Sequence, residues 1–283
     1  MKATPSVVAH AHVSEHTRVR IGGAWIDAMT FDAAIHAITM LVERRRGGLV
    51  VTPNVDHLVK LEHDTALKAA YAMADLAFVD GTPLVWMSHL LATPLPERVS
   101  GSDLTLPLTR VASSRGWRVY LLGGAPGAAS AAAERMRREC NATIVGVDTP
   151  DISVEGDVAA DDSIVARILE TRPDLIFVAF GSPKQERLSV RIRDRVSPAV
   201  LVCVGVSLSF VADHLRRAPP FVSRLGLEWL FRLVHEPRRL WRRYLVDDIG
   251  IAGILWRTMR MPLAQRVKKI TSSAASHATA GER

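Results

Sequence analysis

Behind the apolar run of residues 174–180, residues 181–186 read Gly-Ser-Pro-Lys-Gln-Glu, where a buried strand gives way to a helix. Ser182 would cap that helix and Pro183 would take its first position. Lys184 and Gln185 would add a cation and an amide to a helix start that already favours anions, and Glu186 suits the first turn as a stabilising acid. In Phe78-Val79-Asp80-Gly81 a carboxylate directly follows a strand. Partial desolvation there would lift its pKa toward the range of a general base, although an ordinary loop aspartate is the commoner outcome for such a residue read alone. The turn Leu-Leu-Gly-Gly-Ala-Pro-Gly at residues 121–127 carries Gly123 and Gly124, which would let the backbone approach a phosphate. It departs from G-x-G-x-x-G, so it supports a dinucleotide weakly, and a tight turn without ligand fits it equally well. Thr52-Pro53-Asn54 and the loop of residues 96–103 add a hydroxyl, an amide and the planar guanidinium of Arg98, a group suited to phosphate.

These residues need a scaffold, and the spacing of apolar residues supplies one. A strand or hairpin is predicted over residues 18–27, then a helix from Phe31 behind Thr30 as its N-cap. Further helices are predicted over residues 55–74 and 82–92, and from the 96–103 loop to about Ser114. Apolar runs at residues 48–54, 76–81, 117–124, 142–148, 174–180 and 199–205 read as strands separated by helices. Consecutive apolar residues in strands that alternate with helices indicate a parallel sheet covered on both faces, an α/β Rossmann-like fold. Such sheets bind ligands beyond the carboxyl ends of their strands. That rule selects the loops at residues 52–56, 79–83, 122–127, 147–151, 180–186 and 204–209.

At 283 residues, 48% hydrophobic and 23% charged, the chain can bury one large core, with or without an appendage, and general disorder is excluded. Cys140 and Cys203 offer neither a disulfide framework nor metal-ligand spacing and fit a reducing cytosol; Cys203, inside an apolar run, reads as a small buried hydrophobe. The His-rich opening has no sustained apolar segment, so residues 1–18 read as a disordered tail, ahead of a metal site at His10, His12 and His16. No apolar run approaches the ~20 residues of a membrane-spanning helix. The net charge of +7 is unevenly placed. Residues 214–244 hold eight arginines against Glu228 and Glu236, leaving residues 1–213 slightly acidic. Apolar residues at Leu227, Leu230, Val234, Leu240 and Tyr244 have helical spacing, interrupted at Pro237, and Trp229, Trp241 and Trp256 are half of the six tryptophans. Arginine with amphipathic aromatics suits an anionic bilayer surface; packing on the body competes, and nucleic acid is the weakest of the three readings.

In this order the motifs resemble the WecG/TagA/CpsF glycosyltransferases, glycosyltransferase family twenty-six, from about residue 21 to residue 244. The resemblance rests on Thr52-x-Asn54, on Asp80-Gly81, and on Arg98-Val-Ser-Gly101-Ser-Asp103. It continues with the glycine turn, with Gly181-Ser-Pro-Lys-Gln185-Glu186, and with Gly226-Leu-Glu-Trp followed by Glu236-Pro-x-Arg. It implies an inverting transferase that moves a hexose or N-acetylhexosamine-type sugar from a UDP-sugar to an undecaprenyl-diphosphate-linked acceptor in exopolysaccharide or envelope-glycan assembly. Asp80 would be the base, bordered by Thr52 and Asn54. Arg98 and Gln185 would hold the donor or its leaving diphosphate, with Lys184 as a charge supplement. Arg232, Arg238 and Arg242 would reach the acceptor diphosphate at the membrane. The resemblance also implies an enzyme that needs neither metal nor cofactor, and the metal-chelating Asp-x-Asp pair of many sugar-nucleotide enzymes is missing from the sequence. Where family members often read Phe-Asp-Phe, this chain has Leu208-Ser209-Phe210; the pocket acid has become Ser209, which leaves the sugar open, glucose included.

The expected organisation is a tail at 1–18, a catalytic α/β domain at 19–213, a basic helical membrane-docking appendage at 214–262 and a flexible tail at 263–283. The enzyme would sit peripherally on the cytoplasmic face of the inner membrane, without nucleic acid, and a homo-oligomer stays open. The competing enzyme reading is a nucleotide-dependent oxidoreductase on the same class of sheet, favoured only by the glycine turn.

Overall fold

The computed structural model describes residues 15–215, 217–219, 222, 226–235 and 237–271. Its larger sheet has six parallel strands: β3 (Gly48–Val51), β4 (Leu76–Ala77), β5 (Arg118–Gly123), β6 (Thr143–Asp148), β7 (Leu175–Ala179) and β8 (Val200–Cys203). Their order is β4-β3-β8-β7-β5-β6. Val51, Leu122, Ile176, Val178 and Leu201 belong to one buried cluster, and Val50, Leu121, Phe177, Val200 and Val202 to another. Alternate strand residues point to opposite faces. Both faces are therefore covered by helices, and the strands read as unbroken apolar runs. The α/β Rossmann-like expectation holds.

α1 (Phe31–Glu43) opens at the predicted cap, where Thr30 Oγ1 accepts the Ala33 N–H. The single helix expected over 55–74 is two, α2 (Val55–Lys60) and α3 (Thr65–Ala72). Asp64 breaks it by capping α3: one carboxylate oxygen accepts the Leu67 N–H at 2.8 Å and the other binds Arg187 at 2.6 Å. The body continues with α4 (Thr82–Leu90), α5 (Gly101–Ser114), α6 (Ala128–Cys140), α7 (Val158–Thr171), α8 (Lys184–Ile192) and the short α9 (Ser207–Val211).

A second, antiparallel sheet has the order β2-β1-β9, made of β1 (Glu15–Ile21), β2 (Ala24–Asp27) and β9 (Val267–Thr271). Residues 15–18 and 263–271 are thus ordered structure where tails were expected. Val19 and Ile21 are buried on the inner face of β1, and β9 covers an edge that would otherwise stay unpaired. Residues 1–14 and 272–283, with His10 and His12, lie outside the described residues; His16 binds Asp27. The Asp27 side chain, fully buried, also takes Arg18 and accepts the Ala77 N–H at 2.7 Å, tying the small sheet to β4.

The basic segment forms α10 (Glu228–His235) and α11 (Pro237–Leu245), parted at Pro237 as the spacing predicts, then a 3-10 turn (Asp247–Gly250), α12 (Ile251–Met259) and α13 (Leu263–Arg266). Its far end is not separate from the body. Ile254 of α12 is 1% exposed within the first core cluster, and Thr258 Oγ1 accepts the Gly22 N–H at 3.0 Å from the β1–β2 turn.

Candidate functional site

Two neighbouring cavities lie where β3 and β4 hand over to their loops. One, of about 460 Å³, is largely polar: Thr52, His57, Lys60, Ser102, Gly124, Gln185 and Ser209 are in its wall. The other, of about 470 Å³, is walled by Pro83, Met87, Trp229, Tyr244, Ile249 and Ile251, with Arg98 and Asp248. Asn54, Asp56, Asp80 and Glu228 line both. Asp80 therefore stands at the seam, where a group in one cavity can react with a group in the other.

Backbone hydrogen bonds set that position. Past β4 the chain stays paired with its neighbour: the Phe78 N–H donates to Val51 O at 2.9 Å and the Asp80 N–H to Pro53 O at 2.8 Å. On the other side Val99 N–H donates to Val79 O at 2.8 Å, which brings the Arg98 loop alongside. Thr52 Oγ1 donates to Cys203 O at 3.2 Å, joining the ends of β3 and β8. Asn54 caps α2, its Oδ1 accepting the His57 N–H at 3.1 Å. Gly101, at the start of α5, lets that helix close on the same spot: a Cβ there would lie 2.9 Å from Val204 Cα.

The other sequence-predicted residues divide between lining and support. Gln185, 2% exposed, lines the polar cavity and braces it: Nε2 donates to Glu186 at 2.8 Å and Oε1 accepts the Gly205 N–H at 2.9 Å. Ser209 and Gly124 are in the same wall. Gly123 is not; its φ of +94° and the 2.9 Å that would separate a Cβ from Ala179 O explain the glycine by close packing of β5 on β7. Lys184 lines neither cavity. Its ammonium donates to Ile152 O at 2.7 Å, and Arg187, one turn on, donates to Val154 O at 3.3 Å, so the start of α8 holds down the 149–157 loop. Nor does Ser182 cap α8: Pro183 takes the cap position, and Ser182 Oγ is buried with no hydrogen bond. Arg238 and Arg242 are exposed on α11, Arg242 Nε 4.0 Å from Asp247, and neither lines either of these two cavities; the Arg232 side chain lies outside the described residues.

Arg98 does not present a free guanidinium. It binds Asp103 and Glu228, each at 2.6 Å. Burial would lower its pKa, but Asp103, Glu228 and Asp80 outweigh that and raise it, so it stays charged.

Sequence reasoning missed Asp56, His57, Lys60 and Glu228. The first three lie on α2, which opens at the Thr52–Asn54 loop; a helix starting at a ligand-facing loop turns its first residues toward the ligand, and that was the available signal. Lys60 Nζ donates to Asp56 at 2.8 Å, and His57 Nδ1 is 2.8 Å from the Tyr71 hydroxyl. Burial, reinforced by Glu186, Cys203, Asp80 and Asp56, pushes the Tyr71 phenol well above its ordinary value, so it remains protonated beside the site. Glu228 was legible only as an acid heading a basic helix. Among the described residues no group of three or more His, Cys, Asp or Glu is arranged to hold a metal ion, and no helix is long and apolar enough to cross a membrane.

The sequence model of the glycosyl transferase WecG/TagA/CpsF family matches residues 19–265. A curated relative from Bacillus spizizenii is 30% identical over 231 residues, covering 82% of this chain and 88% of the relative; it is named N-acetylglucosaminyldiphosphoundecaprenol N-acetyl-beta-D-mannosaminyltransferase.

Proposed function

The chain belongs to the WecG/TagA/CpsF family of glycosyltransferases, and from that premise we propose that it transfers an N-acetylhexosamine-type or hexose sugar from a UDP-sugar to an undecaprenyl-diphosphate-linked acceptor, inverting the anomeric carbon. The relative's name makes N-acetylmannosamine the first donor sugar to try and an N-acetylglucosamine-capped lipid diphosphate the first acceptor. Ser209, in the wall of the polar cavity, keeps glucose on the list. The family assignment leaves the oxidoreductase reading without support.

The observation that carries the proposal is Asp80 at the seam of the two cavities. The polar cavity suits a nucleotide sugar: it is rimmed by the starts of α2, α8 and α9, whose N–H groups favour a diphosphate. The other cavity suits an acceptor sugar, with Trp229 and Tyr244 as faces for it to pack on. Asp80 takes the proton of the acceptor hydroxyl as that oxygen bonds to the anomeric carbon. The bond from that carbon to the diphosphate breaks on the opposite face, and its electron pair leaves with UDP. Thr52 and Asn54 fix the loop that holds Asp80, and Gln185 fixes the loop at Gly205.

The basic helices would rest on the cytoplasmic face of an anionic membrane. Trp229, Trp241, Ile249 and Trp256 are exposed there, and the Arg260 guanidinium stacks 4.4 Å over Trp256. The apolar cavity lies against the same helices, so a lipid-linked acceptor reaches it from the bilayer.

Assaying a panel of UDP-sugars with a lipid-diphosphate acceptor tests the whole reading. Asp80→Asn should lower turnover by about a thousand-fold or more with UDP binding kept. A wild-type protein inert toward every UDP-sugar would refute it, as would an Asp80→Asn enzyme with near-normal turnover.

A further inference from the structure

Among the described residues, the cavity wall offers the departing diphosphate little uncommitted positive charge. Three carboxylates, Asp56, Asp80 and Glu228, line the polar cavity; Lys60 is bound to Asp56, and Arg98 is clamped between Asp103 and Glu228. A leaving group with two or more negative charges needs a cation able to reach it.

We propose that Arg217 binds the donor diphosphate at the mouth of the polar cavity, an inference that rests on the UDP-sugar reading above. Its guanidinium carbon lies 5.6 Å from the centre of the Phe210 ring, and its Nη2 donates to Ser102 O at 2.5 Å. Phe210 and Ser102 both line that cavity, from α9 and α5. The guanidinium thus rests against two of the cavity's walls while the side chain stays 47% exposed. Its charged partner is Asp103, at 3.1 Å.

Asp103 joins two guanidiniums, Arg217 on one oxygen and Arg98 on the other. They differ in what their departure costs. If Arg217 exchanges Asp103 for a phosphate, Asp103 keeps Arg98 at 2.6 Å and the Ser100 hydroxyl at 2.8 Å. If Arg98 left, Asp103 and Glu228 would both lose a partner while partly buried. Arg98 is the fixed member of the pair and Arg217 the one free to turn. As the anomeric bond breaks and its electron pair settles on the β-phosphate oxygen, the planar fork of Arg217 meets that charge with paired hydrogen bonds.

Calorimetric titration of the full-length protein with UDP, UMP and uridine tests this, using Arg217→Gln and Arg217→Lys beside wild type. Arg217→Gln should weaken UDP binding by about ten- to a hundred-fold, UMP less, and uridine not at all. Arg217→Lys, which keeps the charge and loses the fork, should fall between. Unfolding midpoints equal to wild type would show that the contacts at the rim are not structural. Unchanged UDP affinity, or an equal loss for UDP and uridine, would overturn the role of Arg217 and leave the UDP-sugar reading standing. Wild-type protein that binds none of UDP, GDP and dTDP would overturn both.

Discussion

Arg98 and Glu228 meet at 2.6 Å across the join between the α/β body and the basic helices, at the rim of the apolar cavity. One comes from the loop before α5, the other opens α10. Removing either should therefore loosen the same wall. Arg98→Gln, Glu228→Gln and the double variant should be non-additive in kcat/KM, with a coupling of about 1–3 kcal/mol. Losses that simply add would mean that the two residues serve separate purposes.

Lys60 and Lys184 separate lining from support. Lys60→Ala removes the ammonium from the polar cavity and should weaken UDP binding several-fold. Lys184→Ala should leave UDP binding unchanged and lower stability by about 0.5–1.5 kcal/mol through the lost bond to Ile152. Titration with UDP and urea unfolding read the two effects; a Lys184 variant impaired only in UDP binding would reverse the assignment.

Exposed aromatics on the basic helices bear on membrane contact. Replacing Trp241 and Trp256 together by serine should change unfolding free energy by about 0.5 kcal/mol or less, since both are more than half exposed. Sedimentation with anionic vesicles should fall by about ten-fold or more. Vesicle binding equal to wild type would send the docking surface elsewhere.

Asp64 predicts an acid-sensitive step in stability. Burial would raise its pKa, but the Leu67 N–H and Arg187 outweigh that and hold it below 3.8. A depressed folded pKa adds stability that is complete above the unfolded value and lost as pH falls through the folded one. Asparagine can still cap α3 but cannot pair with Arg187. Asp64→Asn should thus be the less stable protein at neutral pH, and the gap should begin to close only below about pH 4 and vanish once pH has passed the lowered folded value. Parallel urea curves across the whole range would show that the charge is irrelevant.

The six-stranded sheet was legible because each strand is buried on both faces, which writes itself as consecutive apolar residues. The division of residues 55–74 into α2 and α3 was missed although Asp64 followed by Thr65 is an ordinary helix start; no glycine or proline punctuates the run, which hides the break. β9 was missed because Val267–Thr271 gains its structure only from pairing with β1, some 250 residues earlier. Within the site, Asp80, Asn54, Thr52, Gln185 and Ser209 were legible from the loops that carry them. Lys184 was read as a charge supplement to Gln185 beside it, yet neighbours on a helix face different ways, and the packing of the 149–157 loop takes the lysine out of the cavity wall. Glu228 and Arg217 depend on how a distant segment folds back, which no local pattern records.

Glu15 faces Thr271 across the ribbon of β1 and β9, so the two ends of the described chain leave the molecule side by side. A short linker could close the backbone into a ring, which could be reopened at the exposed turn of residues 44–46, before β3 and on the far side from the reacting groups. Such a circular permutant would keep every strand pairing while placing its new termini at the amino end of β3, opposite the strand ends that carry the cavities, a convenient place to attach a reporter.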